Sequence, residues 1–234
     1  MLAAIILAAG SSSRFLRQSS PRLGGIKKEF QKLKEKNLTV LGSSAGTFAE
    51  IPSVKTIVIA VQKNDEEAGR GALPPELLAK DGVNIVFVTG GESRRASVYN
   101  ALCALTPYNP RYVLIHDGAR PWVSARLIGN IIEAVKKHGA VIPLLPLTDT
   151  PKEIADSGQA VFVKRHLKRA DVGIAQTPQA FVFPQILHAH EKAACVSDEE
   201  FTDDAEIWGR FCGQVTVVQG EIENKKITFI EDLD

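Results

Sequence analysis

Eight apolar residues, Leu2 to Ala9, open the chain and run without a break into Gly10, Ser11, Ser12, Ser13 and Arg14. A run this short and this uniformly apolar fits a strand buried on both faces, as in a parallel sheet. The segment that follows is a polar loop with no hydrophobic period. Open α/β sheets hold phosphates at the carboxyl ends of their strands, where such loops sit. Ala8, Ala9 and Gly10 carry little or no side chain, so a ligand can approach their backbone closely, and the three serines add hydroxyl donors. Between Arg14 and Lys36 eight basic residues stand against two acidic ones, Glu29 and Glu35, in a chain of 234 residues with net charge +1. The stretch is a local cationic field in a balanced protein. It lacks the Gly-x4-Gly-Lys-Ser/Thr spacing of a P-loop. It also lacks the three spaced glycines and the later acidic residue of a dinucleotide fold.

Strands and helices alternate through the chain. Strands are expected at Thr56–Val61, Val83–Thr89, Tyr112–His116 and Ala140–Pro143, and helices at Val40–Glu50, Ser93–Leu105 and Ser124–His138, the last capped by Ser124. This pattern predicts a mainly parallel sheet with helices on both faces. Residues 144–170 break it. They contain Pro146 and Pro151, several charges and one strand-like piece, Ala160–Val163, and read as either a disordered loop or an arm that packs on a partner. Alternation resumes with a strand near Gly173–Phe183, helices at Pro184–Ala194 and Asp203–Trp208, and strands at Val215–Gln219 and Ile227–Phe229. The whole reads as one domain, residues 1–234, with an arm at about 144–170.

Hydrophobic residues make up 44% and charged residues 24%, ordinary for a soluble domain. The near-zero charge gives no general attraction to nucleic acid or anionic membranes, and the aromatics are not interleaved with the basic loop. The apolar start lacks a basic leader and is too short to span a bilayer, so it reads as a strand rather than a signal peptide. Cys103, Cys195 and Cys212 suit reduced core thiols and a cytoplasmic location. His188 and His190 do not share a helix face, which disfavours a metal pair, and Trp208 and Phe211 read as core.

Three further segments carry chemistry. Gly90-Gly91-Glu92-Ser93-Arg94-Arg95-Ala96-Ser97-Val98 ends the third strand, where two glycines permit backbone contact with a flat ring; a tight turn with a helix cap is the plainer reading. His116-Asp117-Gly118-Ala119-Arg120-Pro121 ends the fourth. A carboxylate there is a natural Mg²⁺ ligand, or an Asp bonding its own turn. Thr148-Asp149-Thr150-Pro151-Lys152 opens the arm, and Ala175-Gln176-Thr177-Pro178-Gln179-Ala180-Phe181 follows it.

LAAGSSSR followed by KKEF is similar to the signature of the nucleotidyltransferases that make nucleoside-diphosphate sugars and alcohols. With GG-x-x-R-x-x-S-V, a near match to H-D-A-A-R-P, D-T-x-K, A-Q-T-P-Q-x-F, Thr202-Asp203-Asp204-Ala205 and Asn224-Lys225-Lys226-Ile227-Thr228, the chain most resembles the 2-C-methyl-D-erythritol 4-phosphate cytidylyltransferase family of the non-mevalonate isoprenoid pathway. The resemblance runs from Ile5 to Thr228. It departs at Ser12, where a glycine is usual, at Lys27, where a proline precedes the lysine, and at Val172-Gly173, in place of a Leu-Trp pair.

The resemblance implies a Rossmann-like fold with a protruding β-arm used for dimerisation. It implies that CTP and 2-C-methyl-D-erythritol 4-phosphate are joined to give 4-diphosphocytidyl-2-C-methyl-D-erythritol and pyrophosphate. Arg14, Lys28 and Lys226 would be catalytic, and Ala8, Ala9, Gly10, Gly91, Glu92 and Ser97 would bind the nucleotide. Asp117, Arg120, Thr150, Arg169 and Thr177 would bind substrate, with Mg²⁺ at Asp117; Arg165 competes with Arg169 as the arm arginine. Two polyanions must meet, which calls for cations in line with the attack rather than a general base. Lys27, next to Lys28, is expected to matter less. The competing readings are a ribitol-5-phosphate cytidylyltransferase and a non-catalytic nucleotide-binding regulator on the same fold; a Rossmann oxidoreductase is disfavoured by the missing glycines.

Overall fold

The computed structural model describes residues 1–18, 25–196 and 201–233. Residues 19–24 of the basic loop, Arg22 among them, lie outside the described residues. In chain order the elements are β1 (Leu2–Ala8), α1 (Ser13–Gln18), α2 (Val40–Ala49), β2 (Val54–Val61), α3 (Glu66–Gly71), α4 (Pro75–Leu78), β3 (Asn84–Thr89), α5 (Arg94–Leu105), β4 (Tyr112–Asp117), α6 (Ala125–His138), β5 (Ala140–Pro146), β6 (Lys152–Asp156), β7 (Val161–His166), β8 (Gly173–Ala175), β9 (Gln179–Val182), α7 (Phe183–Ala194), α8 (Asp204–Phe211) and β10 (Thr216–Gln219).

The main sheet runs β10-β5-β9-β4-β1-β2-β3, with β8 added on β5. β1 lies in its middle, parallel to both β2 and β4, which is why its sequence is apolar on both faces. Ala4, Ile6 and Ala8 point to one core with Leu41, Phe48, Ile128 and Ile131 from α2 and α6. Ala3 and Ile5 point to the other, with Val98, Leu102, Leu105, Ile186 and Trp208 from α5, α7 and α8. The doubly wound parallel region ends at β9, which is antiparallel to β4 and β5. Ser93 and Ser124 cap α5 and α6 by accepting from Ala96 N and Leu127 N, at 3.1 and 2.9 Å.

Several expectations need correction. The stretch after Gly10 is not all loop: α1 forms because Phe15, fully buried, joins a small cluster with Leu33, Val40, Ile227 and Leu233. α3 and α4 have no counterpart in the sequence reading; both are too short to show a period. The expected strand at Gly173–Phe183 is two strands, and Phe183 already begins α7. Among the described residues, Ile227–Phe229 pairs with no strand; Ile227 N donates instead to the Ala119 carbonyl at 2.8 Å. The three cysteines are free but exposed rather than core.

β5 continues to Pro146, so the arm is a hairpin of β6 and β7 that, among the described residues, pair only with each other. Every residue of β7 is exposed, and the hairpin shows Ile154, Val161, Phe162 and Val163 to solvent. Among the described residues, no helix is long and apolar enough to cross a membrane.

Candidate active site

The carboxyl ends of β1, β2, β3 and β4 surround one cleft of about 730 Å³. Gly10 to Phe15 form one wall, Thr89 to Arg94 with Ser97 another, and Lys28, Asp117 and Lys226 the floor. Five cationic side chains (Arg14, Lys28, Lys63, Arg94, Lys226) line it against three acidic ones (Glu29, Glu92, Asp117). A cleft so lined attracts a polyanion.

The loop after β1 is tied in place from inside. Ser12 adopts a left-handed φ of 51°, a conformation that favours glycine, and its Oγ donates to the buried Glu29 Oε2 at 2.9 Å. Burial pushes the Glu29 carboxyl above its usual range, against the pull of Lys28 and the Ser12 hydroxyl. Lys28 Nζ donates to the Ile227 carbonyl at 2.9 Å. Burial pushes its ammonium below the usual lysine range; Glu29 and Asp117 oppose this, while Lys226 and Arg14 add to it.

Asp117 ends β4 amid cations. Lys226 Nζ donates to Oδ2 at 2.7 Å, Arg94 Nε lies 3.7 Å from Oδ1 and Arg120 Nε 3.8 Å from Oδ2. Burial would raise its pKa, but Lys226, Arg94 and Arg120 outweigh burial and hold the carboxyl well below its usual range. Behind it, His116 Nε2 donates to the Arg120 carbonyl at 3.1 Å, which leaves Nδ1 to accept from Thr177 Oγ1 at 3.0 Å. Thr177 Oγ1 in turn accepts from Asp117 N at 3.0 Å. Burial pushes the His116 imidazole down to about 4, so it is neutral at pH 7.

The structure therefore gathers Ala9, Gly10, Arg14, Lys28, Gly91, Glu92, Ser97, Asp117 and Lys226 around the cleft. Ala8 is fully buried in β1. Ser97 Oγ accepts from Gly91 N at 3.0 Å, so it shapes the loop that faces the cleft. Gly90 and Gly91 leave no room for a side chain: a Cβ on either would sit 2.4 Å from the Cβ of Ala9 or Ala96. Arg120 and Thr177 stand behind Asp117. Arg120 Nη1 donates to the Asn224 carbonyl at 2.7 Å, and Asn224 Nδ2 to the Thr177 carbonyl at 2.8 Å, a brace for the segment that carries Lys226. Thr150 and Arg169 lie on the arm, exposed and outside this cleft; Arg169 donates to the Thr148 carbonyl at 2.5 Å. Arg165 pairs with Glu153 within the hairpin at 2.9 Å.

Sequence reasoning left out Arg94. It bridges Asp117 and the buried Asp204, at 2.8 Å from the latter. The signal was present, since Arg94 is the arginine of the GG-x-x-R stretch, but an arginine opening a helix also reads as a solvated end. Asp204 lies near His190 as well, Nε2 at 3.2 Å without hydrogen-bond alignment. His188 is exposed on the other side of α7. Lys63 and Gln62, after β2, also line the cleft and have no motif to flag them.

Among the described residues, no three His, Cys, Asp or Glu side chains cluster to cage a metal ion by themselves. Asp117 offers one ionised carboxylate. That fits a hard cation such as Mg²⁺, which keeps several waters and takes its other ligands from phosphates.

Residues 2–234 match the family model described as IspD: 2-C-methyl-D-erythritol 4-phosphate cytidylyltransferase. The chain is 35% identical over 233 residues to the bifunctional enzyme IspD/IspF of Brucella anthropi, covering 100% of this chain and 54% of the relative. It is 39% identical over 235 residues to the enzyme of that name from a Bradyrhizobium species, covering 98% and 54%. The chain thus spans about half the length of the curated relatives it matches. Among solved structures, the 4-diphosphocytidyl-2C-methyl-D-erythritol synthase of Anaerococcus prevotii superposes with a TM-score of 0.81 at 32% identity, over 100% of this chain and 92% of that one. The 2-C-methyl-D-erythritol 4-phosphate cytidylyltransferase of Thermus thermophilus gives 0.74 at 29% identity, over 100% and 96%.

Proposed function

Because this chain belongs to the 2-C-methyl-D-erythritol 4-phosphate cytidylyltransferase family, we propose that it joins CTP to 2-C-methyl-D-erythritol 4-phosphate, giving 4-diphosphocytidyl-2-C-methyl-D-erythritol and pyrophosphate. The observation that carries this reading is the cleft itself, where Arg14, Lys28, Arg94 and Lys226 converge beside the close-packed Gly90-Gly91 backbone. An oxygen of the acceptor phosphate forms a bond to the α-phosphorus of CTP. The bond from that phosphorus to the β-phosphate bridging oxygen breaks, and pyrophosphate leaves with the electron pair. The attacking phosphate is already anionic, so the protein need not remove a proton. Its work is to hold two polyanions in line and to neutralise the charge that builds on the α-phosphoryl oxygens. Arg14 serves that charge from one wall, and Lys28 and Lys226, the latter fixed by Asp117, from the floor. The backbone of Gly91 and Glu92 receives the base.

Mg²⁺ fits at Asp117, where it would screen the phosphates' charge when bound. The arm is the proposed dimer contact. Its apolar side chains Ile154, Val161, Phe162 and Val163 are exposed on a hairpin with no neighbour in its own chain's sheet, and a two-fold pair would cover them. Thr150 and Arg169 would then hold the acceptor phosphate in the partner's cleft. The free thiols suit the reducing cytoplasm.

The test is pyrophosphate release from CTP and Mg²⁺ with a panel of polyol phosphates that includes ribitol 5-phosphate. Turnover is expected with the methylerythritol phosphate and to fall by about a hundredfold in Arg14→Ala and in Lys28→Ala. Preference for the ribitol ester, or turnover unaffected by both substitutions, overturns the reading.

A further inference from the structure

Lys27, given no role by the sequence, is held by two side-chain partners. Its ammonium donates to both Gln62 Oε1 and Asp65 Oδ2, and the lysine and aspartate side chains are only 17% and 25% exposed. Both partners belong to the turn after β2, whereas the Ser12–Glu29 bond ties the same loop to the stretch after β1. Asp65 occupies the N-cap of α3, where an aspartate ordinarily accepts from its own helix. Here its side chain makes no cap bond, and the carboxylate is given to Lys27 instead. Lys27 in turn starts the single helical turn Lys28–Phe30, accepting from Phe30 N at 3.0 Å. That turn aims Lys28 into the cleft.

We propose that Lys27 is a positioning residue whose clamp on Gln62 and Asp65 sets the turn that presents Lys28 to the cleft. The loop is then fixed at two points, by Ser12–Glu29 and by Lys27, and backbone geometry presents Lys28 while the Ile227 carbonyl holds its ammonium. The inference rests on the proposed role of Lys28 in neutralising phosphate charge.

Charge alone and clamping predict opposite effects at Asp65. Removing this carboxylate adds net positive charge near a polyanion site, so a purely electrostatic role leaves turnover equal or raised, whereas a clamp makes Asp65→Ala as harmful as Lys27→Ala. Backbone rigidity can also replace the clamp. Lys27 has φ −61° and ψ 148°, within the range proline imposes, and among the described residues its N–H donates to no backbone carbonyl.

The experiment is amide exchange over residues 25–33, read by mass spectrometry, with turnover measured in parallel. The proteins are the wild type, Lys27→Ala, Asp65→Ala, the double variant and Lys27→Pro. Exchange should speed up about tenfold in each alanine variant, the change expected from losing about 1.4 kcal/mol of charged hydrogen bonding. kcat should fall by a similar factor while the KM for the polyol phosphate holds, and the double variant should be no worse than either single one. Lys27→Pro should restore slow exchange and most of kcat. Wild-type exchange in Lys27→Ala, a silent or activating Asp65→Ala, or no recovery with proline overturns the proposal. If the wild type turns over no polyol phosphate, it is the functional reading that fails, and exchange still decides the clamp.

Discussion

Lys226→Met and Asp117→Asn, singly and combined, test whether the charge cluster on the cleft floor acts as one unit. The lysine lies 2.7 Å from a carboxylate oxygen, with side chains 38% and 12% exposed. Water screens the lysine, so the coupling belongs at the low end for charged hydrogen bonds, about 1.5 kcal/mol. For a chain of this size that is roughly a 3–6 °C change in melting temperature. The single variants are not equivalent. Without Lys226, Asp117 still faces Arg94 and Arg120 at 3.7 and 3.8 Å and stays ionised. Without the Asp117 charge, Arg120, 11% exposed, loses its one ion pair among the described residues. An uncompensated, nearly buried guanidinium is the greater penalty, so Asp117→Asn should lower the melting temperature more than Lys226→Met. The double variant should lose about 1.5 kcal/mol less than the sum of the two. Thermal and urea unfolding of the four proteins at pH 7 measure this. Losses that add within about 0.5 kcal/mol, or a Lys226→Met protein less stable than Asp117→Asn, would refute the reasoning.

Because burial pushes His116 from 6.5 to about 4, the unfolded chain takes up that proton first as pH falls, so stability is full above pH 6.5 and declines between 6.5 and 4. The decline should reach roughly 3 kcal/mol, and urea titrations of His116→Asn should lack that part of the slope. Gly91→Ala places a Cβ 2.4 Å from the Ala96 Cβ, and the displaced loop should raise the KM for CTP roughly tenfold or more; an unchanged KM separates this loop from base recognition. Mixing Arg169→Ala with Lys28→Ala subunits should restore part of the activity, since each mixed dimer has one site with both lesions and one with neither. Sedimentation as a monomer, or no recovery after verified subunit exchange, removes the arm from the site.

Elements marked by an apolar run or an apolar helix face were legible from residue order alone. β1, α5 and α6 show why: Ile5 and Ile6 each need burial on their own side of a sheet, and Val98, Leu102 and Leu105 fall on one helix face, all fully buried. α1 was not legible because its anchor, Phe15, with Leu16 beside it, packs in a cluster with Leu33, Val40, Ile227 and Leu233, residues from distant parts of the sequence. Ile227 misled for the same reason. It is fully buried like a strand residue, but as a plug against that cluster rather than as part of the sheet. In the site, the motifs pointed to Arg14, Lys28, Asp117 and Lys226, which line the cleft, but not to Gln62, Lys63 or Arg94 beside them, nor to how these residues are held. That Thr177 bonds the backbone of Asp117 from behind, and that Arg94 joins Asp204 to Asp117, follow from a sheet that brings distant strand ends together.

The segment braced by Arg120, Asn224 and Thr177 joins the loop after β1 to the stretch that follows β10. Lys28 reaches the Ile227 carbonyl, and Lys226 reaches Asp117. A ribosome adding about 5–20 residues per second needs on the order of ten to forty seconds between making Lys28 and making Lys226. Through that interval the growing chain can assemble β1 to β4 while the cleft still lacks one of its cations and the carbonyl that steadies Lys28. Competence thus waits until the segment after β10 docks beneath Arg120, and on the proposed function a nascent chain stalled before that segment would hold nucleotide poorly and turn none over.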